Sequence, residues 1–304
     1  MIADKNEAYV LETAGKHWVY QKVSGYRAIS NGLSIEEDFH GLSKNAIPFA
    51  RKKGWIKKGE NFNFRKSYST WLMPKLAACT NRRDQSESAC SKLEKFYVED
   101  AFELLRSHKI KHGSTEANGT GAFEPFRGKT DSICMHASGL FTPHQTVGSM
   151  VVELRQESPP TVWLTGTSAP CLSIYKPFYF GNDILNEENF ICPSSTFDTS
   201  YWWQWEELHR SILKNYADKI SYIRLERDEL EQETLLEDKL LNKNKEDIHK
   251  AKALSQRILQ ESMKLRKTWL EKITPIENKK HFWYGLFWKQ LNKKSNHKNN
   301  TIRS

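Results

Sequence analysis

Residues Ile133–Phe180 read ICMHASGLFTPHQTVGSMVVELRQESPPTVWLTGTSAPCLSIYKPFYF. Two apolar segments in this stretch, Thr146–Leu154 and Thr161–Leu164, flank the break Pro159-Pro160. Both are rich in Val, Thr, Met and Trp rather than in good helix formers, and a prolyl pair between two such runs stops either from continuing. The pattern predicts a strand, a turn and a strand, paired antiparallel inside a larger sheet.

Outward from that stretch the rhythm alternates. From Ala8 to Ile35 the segments YVLETA, HWVYQKV and RAISNGLSI are separated by Gly15 and Gly25, which predicts a strand meander. Residues 51–68 are polar and carry Gly54 and Gly59, as a loop with short helical content would. A helical pattern follows from Ser69 to His108. It uses Leu72, Leu76 and Cys79, then, past a polar connection at Arg82–Ser88, Val98, Ala101, Phe102 and Leu105. Ser200 is a candidate N-cap for a helix with Trp205, Leu208, Ile212, Tyr216, Ile220 and Ile223 on one face. Helices beside strand pairs place the chain in the α+β class.

Beyond that helix, Glu226–Ile273 is densely charged, with Leu230, Leu236, Leu240, Leu241, Ile248, Ala251, Leu254, Ile258, Leu265 and Trp269 as a narrow stripe broken at Asn242–Asp247. The break allows one long exposed helix or a helical hairpin, and the stripe lacks the clean heptads of a dimerising coiled coil. The net charge of +9 invites a nucleic-acid reading until it is located. Residues 275–304 hold seven Lys or Arg against Glu277 alone, so most of the excess is a basic tail and no nucleic-acid partner is expected. Five cysteines cannot all pair, and no basic stretch followed by an apolar run opens the chain, so reduced thiols and a cytoplasmic location are expected. No apolar run is long enough to span a membrane, and Asn118-Gly119-Thr120 reads as an unmodified sequon.

Five words of the sequence resemble the secernin family, relatives of bacterial cysteine dipeptidases with the N-terminal-nucleophile hydrolase fold. They are EAYVLETAGKHWVYQKV (Glu7–Val23), RAISNGLSI (Arg27–Ile35), HQTVGSMVVEL (His144–Leu154), WLTGTSAPCLSIYKPFYF (Trp163–Phe180) and YWWQWEELHRSIL (Tyr201–Leu213), in the family's order. The resemblance implies a partial αββα sandwich over residues 1–230, followed by a charged helical segment at 231–273 and a basic aromatic tail at 274–304. It also implies dipeptide or amide-bond hydrolysis as the family activity. In the family the nucleophile is a cysteine at the mature N-terminus, whose own α-amino group, with a pKa near ~8, takes the thiol proton. Here the chain opens Met1-Ile2-Ala3-Asp4, and its cysteines are Cys79, Cys90, Cys134, Cys171 and Cys192. The expectation is a hydrolase relative lacking its nucleophile, inactive by itself and acting on small peptides only when completed by the missing N-terminal portion. Two other readings stand beside it: a non-catalytic scaffold that uses the charged helices and tail, and half of a split enzyme.

Single residues sharpen these readings. Asn31 matches the position at which related hydrolases place an asparagine facing the substrate carbonyl, where its amide could donate to an oxyanion. Against that, Asn31-Gly32 is a strong turn dipeptide. Ser149 and Thr167 read as structural hydroxyls, since no Ser-His-Asp arrangement can be assigned. Cys79, Cys90, His108 and His112 lack the short spacing of a zinc knuckle, so no metal site is assigned. Cys134 and His136, two apart, read as a thiol–base pair or, more simply, as a buried inert cysteine beside a hydrogen-bonded histidine. No glycine-rich phosphate loop occurs, so no cofactor is implied. In HFWYGLFWKQLNKK (His281–Lys294), Phe282, Trp283, Phe287 and Trp288 form either a surface docked on the body or an interfacial membrane helix, docking being favoured.

Overall fold

In the N-terminal part of the chain, alternating apolar residues in AYVLETA and HWVYQK build a hairpin. Strands β1 (Ile2–Ala3), β2 (Ala8–Ala14), β3 (His17–Lys22) and β4 (Gly41–Leu42) form one antiparallel sheet in that order. Gly15 takes φ +60° at the first position of the two-residue turn that pairs Ala14 with His17, a conformation costly for other residues. Val10 and Val19 point to the same side and pack with Ile35 and Phe64 as a small core. Helices α1 (Ala46–Lys52) and α2 (Phe64–Tyr68) follow, and α3 (Cys79–Cys90) runs through the segment expected to be a polar connection. These elements belong to the first of two units, Met1–Phe96 and Tyr97–Ser304, into which this computed structural model divides. The structure describes residues 1–70, 78–109, 123–181, 190–243 and 248–296. Leu72, Leu76, His112 and the Asn118 sequon lie outside them.

The expected third strand of the meander does not form. Arg27–Ile35 has no regular secondary structure, because the backbone groups that would enter a ladder are taken elsewhere. The buried Glu12 carboxylate accepts from the backbone N–H of Ser34 at 2.8 Å and of Ile35 at 3.0 Å, and Arg65 N–H donates to the Ile35 carbonyl.

The second unit opens on α4 (Val98–Leu105). Its sheet is β5 (Met150–Glu153), β6 (Thr161–Leu164) and β7 (Lys176–Tyr179), antiparallel throughout. The strand–turn–strand pattern around Pro159-Pro160 is therefore realised, in the register Met150↔Leu164 to Glu153↔Thr161, with β7 completing it. The single apolar face predicted from Trp205 to Ile223 is buried as a unit but divided among α5 (Tyr201–Ile212), α6 (Tyr216–Lys219) and the start of α7 (Ser221–Lys243). Ser200 caps α5, its hydroxyl accepting from Trp203 N–H.

The charged segment resolves as a hairpin of α7 and α8 (Ile248–Ile273). Arg257 pairs with Glu237 at one end, and Trp269 and Lys272 bond Glu226 at the other, so the helices run antiparallel. A single exposed helix is thereby ruled out. Helix α8 is a core element packed on β7, α5 and α7, with Leu254, Ile258, Leu259, Trp269 and Ile273 buried. Ser255 and Ser262 on that helix are fully buried, each hydroxyl bonding a backbone carbonyl of its own helix. Those polar positions are what makes the stripe look narrow in sequence. The boundaries at 230/231 and 273/274 thus fall inside one unit, whose core continues across both. Among the described residues no helix is long and apolar enough to cross a membrane.

Candidate metal centre

Four side chains from three separate segments of the second unit meet in its main core. Helix α4 ends at Leu105 with Arg106 as its C-cap, and His108 follows two residues after the cap. Cys134 and His136 lie in an irregular segment, held beside His108 by the hydrogen bond from Cys134 N–H to the Ser107 carbonyl at 2.9 Å. Cys171 sits in the 3-10 turn Pro170–Leu172. All four are buried, and their donor atoms lie within 4.8 Å of one another.

His136 Nε2 is the hub. It is 3.2 Å from His108 Nε2, 3.6 Å from Cys134 Sγ and 3.3 Å from Cys171 Sγ. Phe123 stacks on His108 with ring centroids 3.8 Å apart, and the fully buried Tyr216 meets both histidine rings edge-on. The Nδ1 atoms of His108 and His136 have no hydrogen-bond partner among the described residues. Burial holds the His136 imidazole below its usual range, and it pushes the Cys134 thiol well up. Cys171 goes the other way. Burial opposes its ionisation, but hydrogen bonding from Cys134 and the two imidazoles make it the more acidic thiol.

The turn carrying Cys171 is clamped from outside. Arg106 donates through Nε to the Pro170 carbonyl at 2.9 Å and through Nη2 to the Ser173 carbonyl at 3.0 Å. The same guanidinium grips Glu231 of α7 bidentately at 2.6 and 2.7 Å, and Glu231 also accepts from Tyr175 N–H. Arg227 donates to the Cys171 carbonyl itself. Charge-assisted, bidentate bonds of this kind add geometric specificity as well as energy. A cleft of about 160 Å³ reaches Cys171 and Tyr216 between Arg106, Arg227 and Glu231.

Asn31, in the first unit, does not occupy a hairpin turn. Neither it nor Gly32 has positive φ, which the two-residue Asn-Gly hairpin requires. Its side-chain oxygen accepts from Arg82 and, at 3.2 Å, from Ser30 Oγ. Since an amide NH2 cannot accept, these donors fix the oxygen and leave Nδ2 as the outward donor. Gly32 lies against Cys79: a Cβ there would stand 2.6 Å from Cys79 Sγ.

Ser149 bonds the Tyr175 hydroxyl at 2.6 Å and Thr167 bonds Ser173 Oγ at 2.5 Å, so both hydroxyls sit in core hydrogen bonds. The tail is helix α9 (Phe282–Lys294). Tyr284, Phe287 and Trp288 pack on Ala137 and Leu213, and Arg210 of α5 donates to Asn292 Oδ1 at 2.7 Å. Phe287 and Trp288 are buried there. Phe282 and Trp283 face outward at 76% and 78% exposure, because the buried face is set by the i, i+3, i+4 and i+8 positions Tyr284, Phe287, Trp288 and Asn292.

No model of a known protein family matches the chain. The four-residue cluster was not legible as a set. His108, Cys134, His136 and Cys171 lie 26, 2 and 35 residues apart in order, and only the Cys134/His136 pair carried a local signal.

Proposed function

We propose that this chain is a secernin-like relative of the cysteine dipeptidases, with hydrolysis of small peptide amides as the chemistry of the assembled site. On this reading the fold is a partial αββα sandwich of the N-terminal-nucleophile hydrolase type, and the protein works in the cytoplasm. The observation that carries the reading is the state of the RAISNGLSI word. The Glu12 carboxylate pins it as irregular backbone, and it presents the Asn31 amide with its oxygen occupied and its Nδ2 free to donate. A donor held that way, before substrate arrives, is what oxyanion stabilisation needs.

The reaction requires an N-terminal cysteine, so the sharp test supplies one. The chain is mixed with the N-terminal segment of a secernin, and free amino acid release from a panel of unblocked dipeptides is followed. Hydrolysis is expected to appear, and Asn31→Ala is expected to lower it by about 10²–10³-fold. No release from any dipeptide, or release indifferent to Asn31→Ala, overturns the proposal.

A second reading rests on α9, where the exposed pair Phe282 and Trp283, ring centroids 5.1 Å apart, stands at one end of a lysine-bearing helix. Such a pair suits a scaffold whose tail meets a partner or a membrane surface.

A further inference from the structure

We propose that His108, Cys134, His136 and Cys171 bind one zinc ion in a closed, four-ligand structural site. This inference stands apart from the hydrolase reading and survives its failure.

The spacing of the donors is the first argument. Zinc bonds of about 2.3 Å to sulfur and about 2.0–2.1 Å to nitrogen, set at tetrahedral angles, separate two nitrogens by about 3.3 Å and a nitrogen from a sulfur by about 3.5 Å. The observed separations are 3.2 Å between the two Nε2 atoms, and 3.6 and 3.3 Å from His136 Nε2 to the two sulfurs. Three of the six edges of a zinc tetrahedron, those that meet at His136 Nε2, are therefore near their expected lengths. No ligand pair is separated by more than 4.8 Å, about 1 Å above a tetrahedral sulfur–sulfur edge, a gap that side-chain rotation closes.

Proton bookkeeping is the second argument. His136 Nε2 carries either one hydrogen or one lone pair, yet it has three polar neighbours at these distances. That nitrogen can make one hydrogen bond, so two of its three neighbours are held at these distances without a bond to it, in a core lined by Phe123, Tyr216 and aliphatic residues. A cation at the common centre uses all four lone pairs at once.

Ligand chemistry selects the metal. Two thiolates and two imidazoles suit zinc, whereas the hard cations calcium and magnesium take oxygen. Four protein ligands leave no position for a water, which separates this site from the three-ligand arrangement of catalytic zinc. Its role is to tie the end of α4, the Cys134–His136 segment and the Pro170–Leu172 turn into one body. The Arg106–Glu231 clamp positions the turn from the far side. The cleft at Cys171 and Tyr216 supplies a route for the ion.

The test uses the full chain, purified without chelators. Elemental analysis is expected to find about one zinc per chain. Cobalt exchanged into the protein is expected to show the intense visible bands of a tetrahedral site and a sulfur-to-cobalt charge-transfer band. Stripping with a strong chelator is expected to lower Tm, and added zinc to restore it. Cys171→Ser and Cys134→Ser should each lose the metal or weaken its retention at least tenfold, while Cys90→Ser and Cys192→Ser keep it. If the ligand variants fail to fold, the wild-type metal content and cobalt spectrum decide. A metal-free protein that takes up neither zinc nor cobalt on refolding overturns the proposal. So does a Cys134–Cys171 disulfide found by mass spectrometry, or a resident metal other than zinc.

Discussion

Lys176, the first residue of β7, is fully buried with its ammonium donating to the Thr165 and Ile174 carbonyls at 2.7 Å each. Burial, only partly offset by Glu231, lowers its pKa to about 7. The unfolded chain keeps this proton up to its ordinary value of 10.5. Between pH 7 and pH 10 the unfolded state therefore binds more protons than the folded one, and stability must rise with pH by up to about 1.4 kcal/mol per unit from this residue. Below pH 7 both states are protonated and the whole cost of the buried charge is present. We predict that Lys176→Met removes this slope. Denaturant unfolding of wild type and variant at pH 7, 8.5 and 10 checks it: the difference in stability should shift toward the wild type as pH rises, and a constant difference would show that Lys176 keeps an ordinary pKa. Asp238, on α7, is buried among side-chain donors. It accepts from Tyr179, Thr161 and Arg155, joining β6 and β7 to α7 through a carboxylate that stays partnered.

Among the elements, α9 separates two roles that its sequence mixes. Trp288 is buried against the second unit, with the Arg210 guanidinium 5.5 Å from its ring centroid and the His209 ring edge-on at 6.0 Å. Trp283, five residues earlier, is exposed. Trp288→Ala should then destabilise the protein by about 3–5 kcal/mol, as truncation of a buried aromatic does. Trp283→Ser should change stability by less than about 0.5 kcal/mol. If the scaffold reading holds, Phe282→Ser with Trp283→Ser lowers binding to anionic liposomes, in vesicle co-sedimentation, without moving Tm. Equal losses of stability from Trp283→Ser and Trp288→Ala would overturn the docked orientation. The same elements show why hydrophobic periodicity misled for α8: serines occupy core positions there, bonded to their own helix, so burial and hydrophobicity part company.

Over the whole molecule, the buried core of Val10, Val19, Ile35 and Phe64 shares no member with the cores of the second unit. Separate cores permit separate cooperative transitions. Calorimetry should resolve two, and removal of zinc should lower only the one belonging to residues 97–304, where all four ligands lie. A single transition that moves as a whole on chelation would mean the cores are energetically one.

What the sequence determined by itself was local. Alternation around Pro159-Pro160, the Ser200 cap and the apolar face from Trp205 to Ile223 each depend on neighbours within a few turns or residues, and each is present in the fold. The α+β class follows from them. Only tertiary structure decided the rest, because its causes are distant in the chain. Glu12 takes the backbone donors of Ser34 and Ile35 and so denies Arg27–Ile35 a place in the sheet. Glu226 meets Trp269 and Lys272 and closes α7 and α8 into a hairpin. His108, Cys134, His136 and Cys171 converge across sequence separations of 26 and 35 residues, a meeting that spacing rules for short chelating knuckles are not built to see.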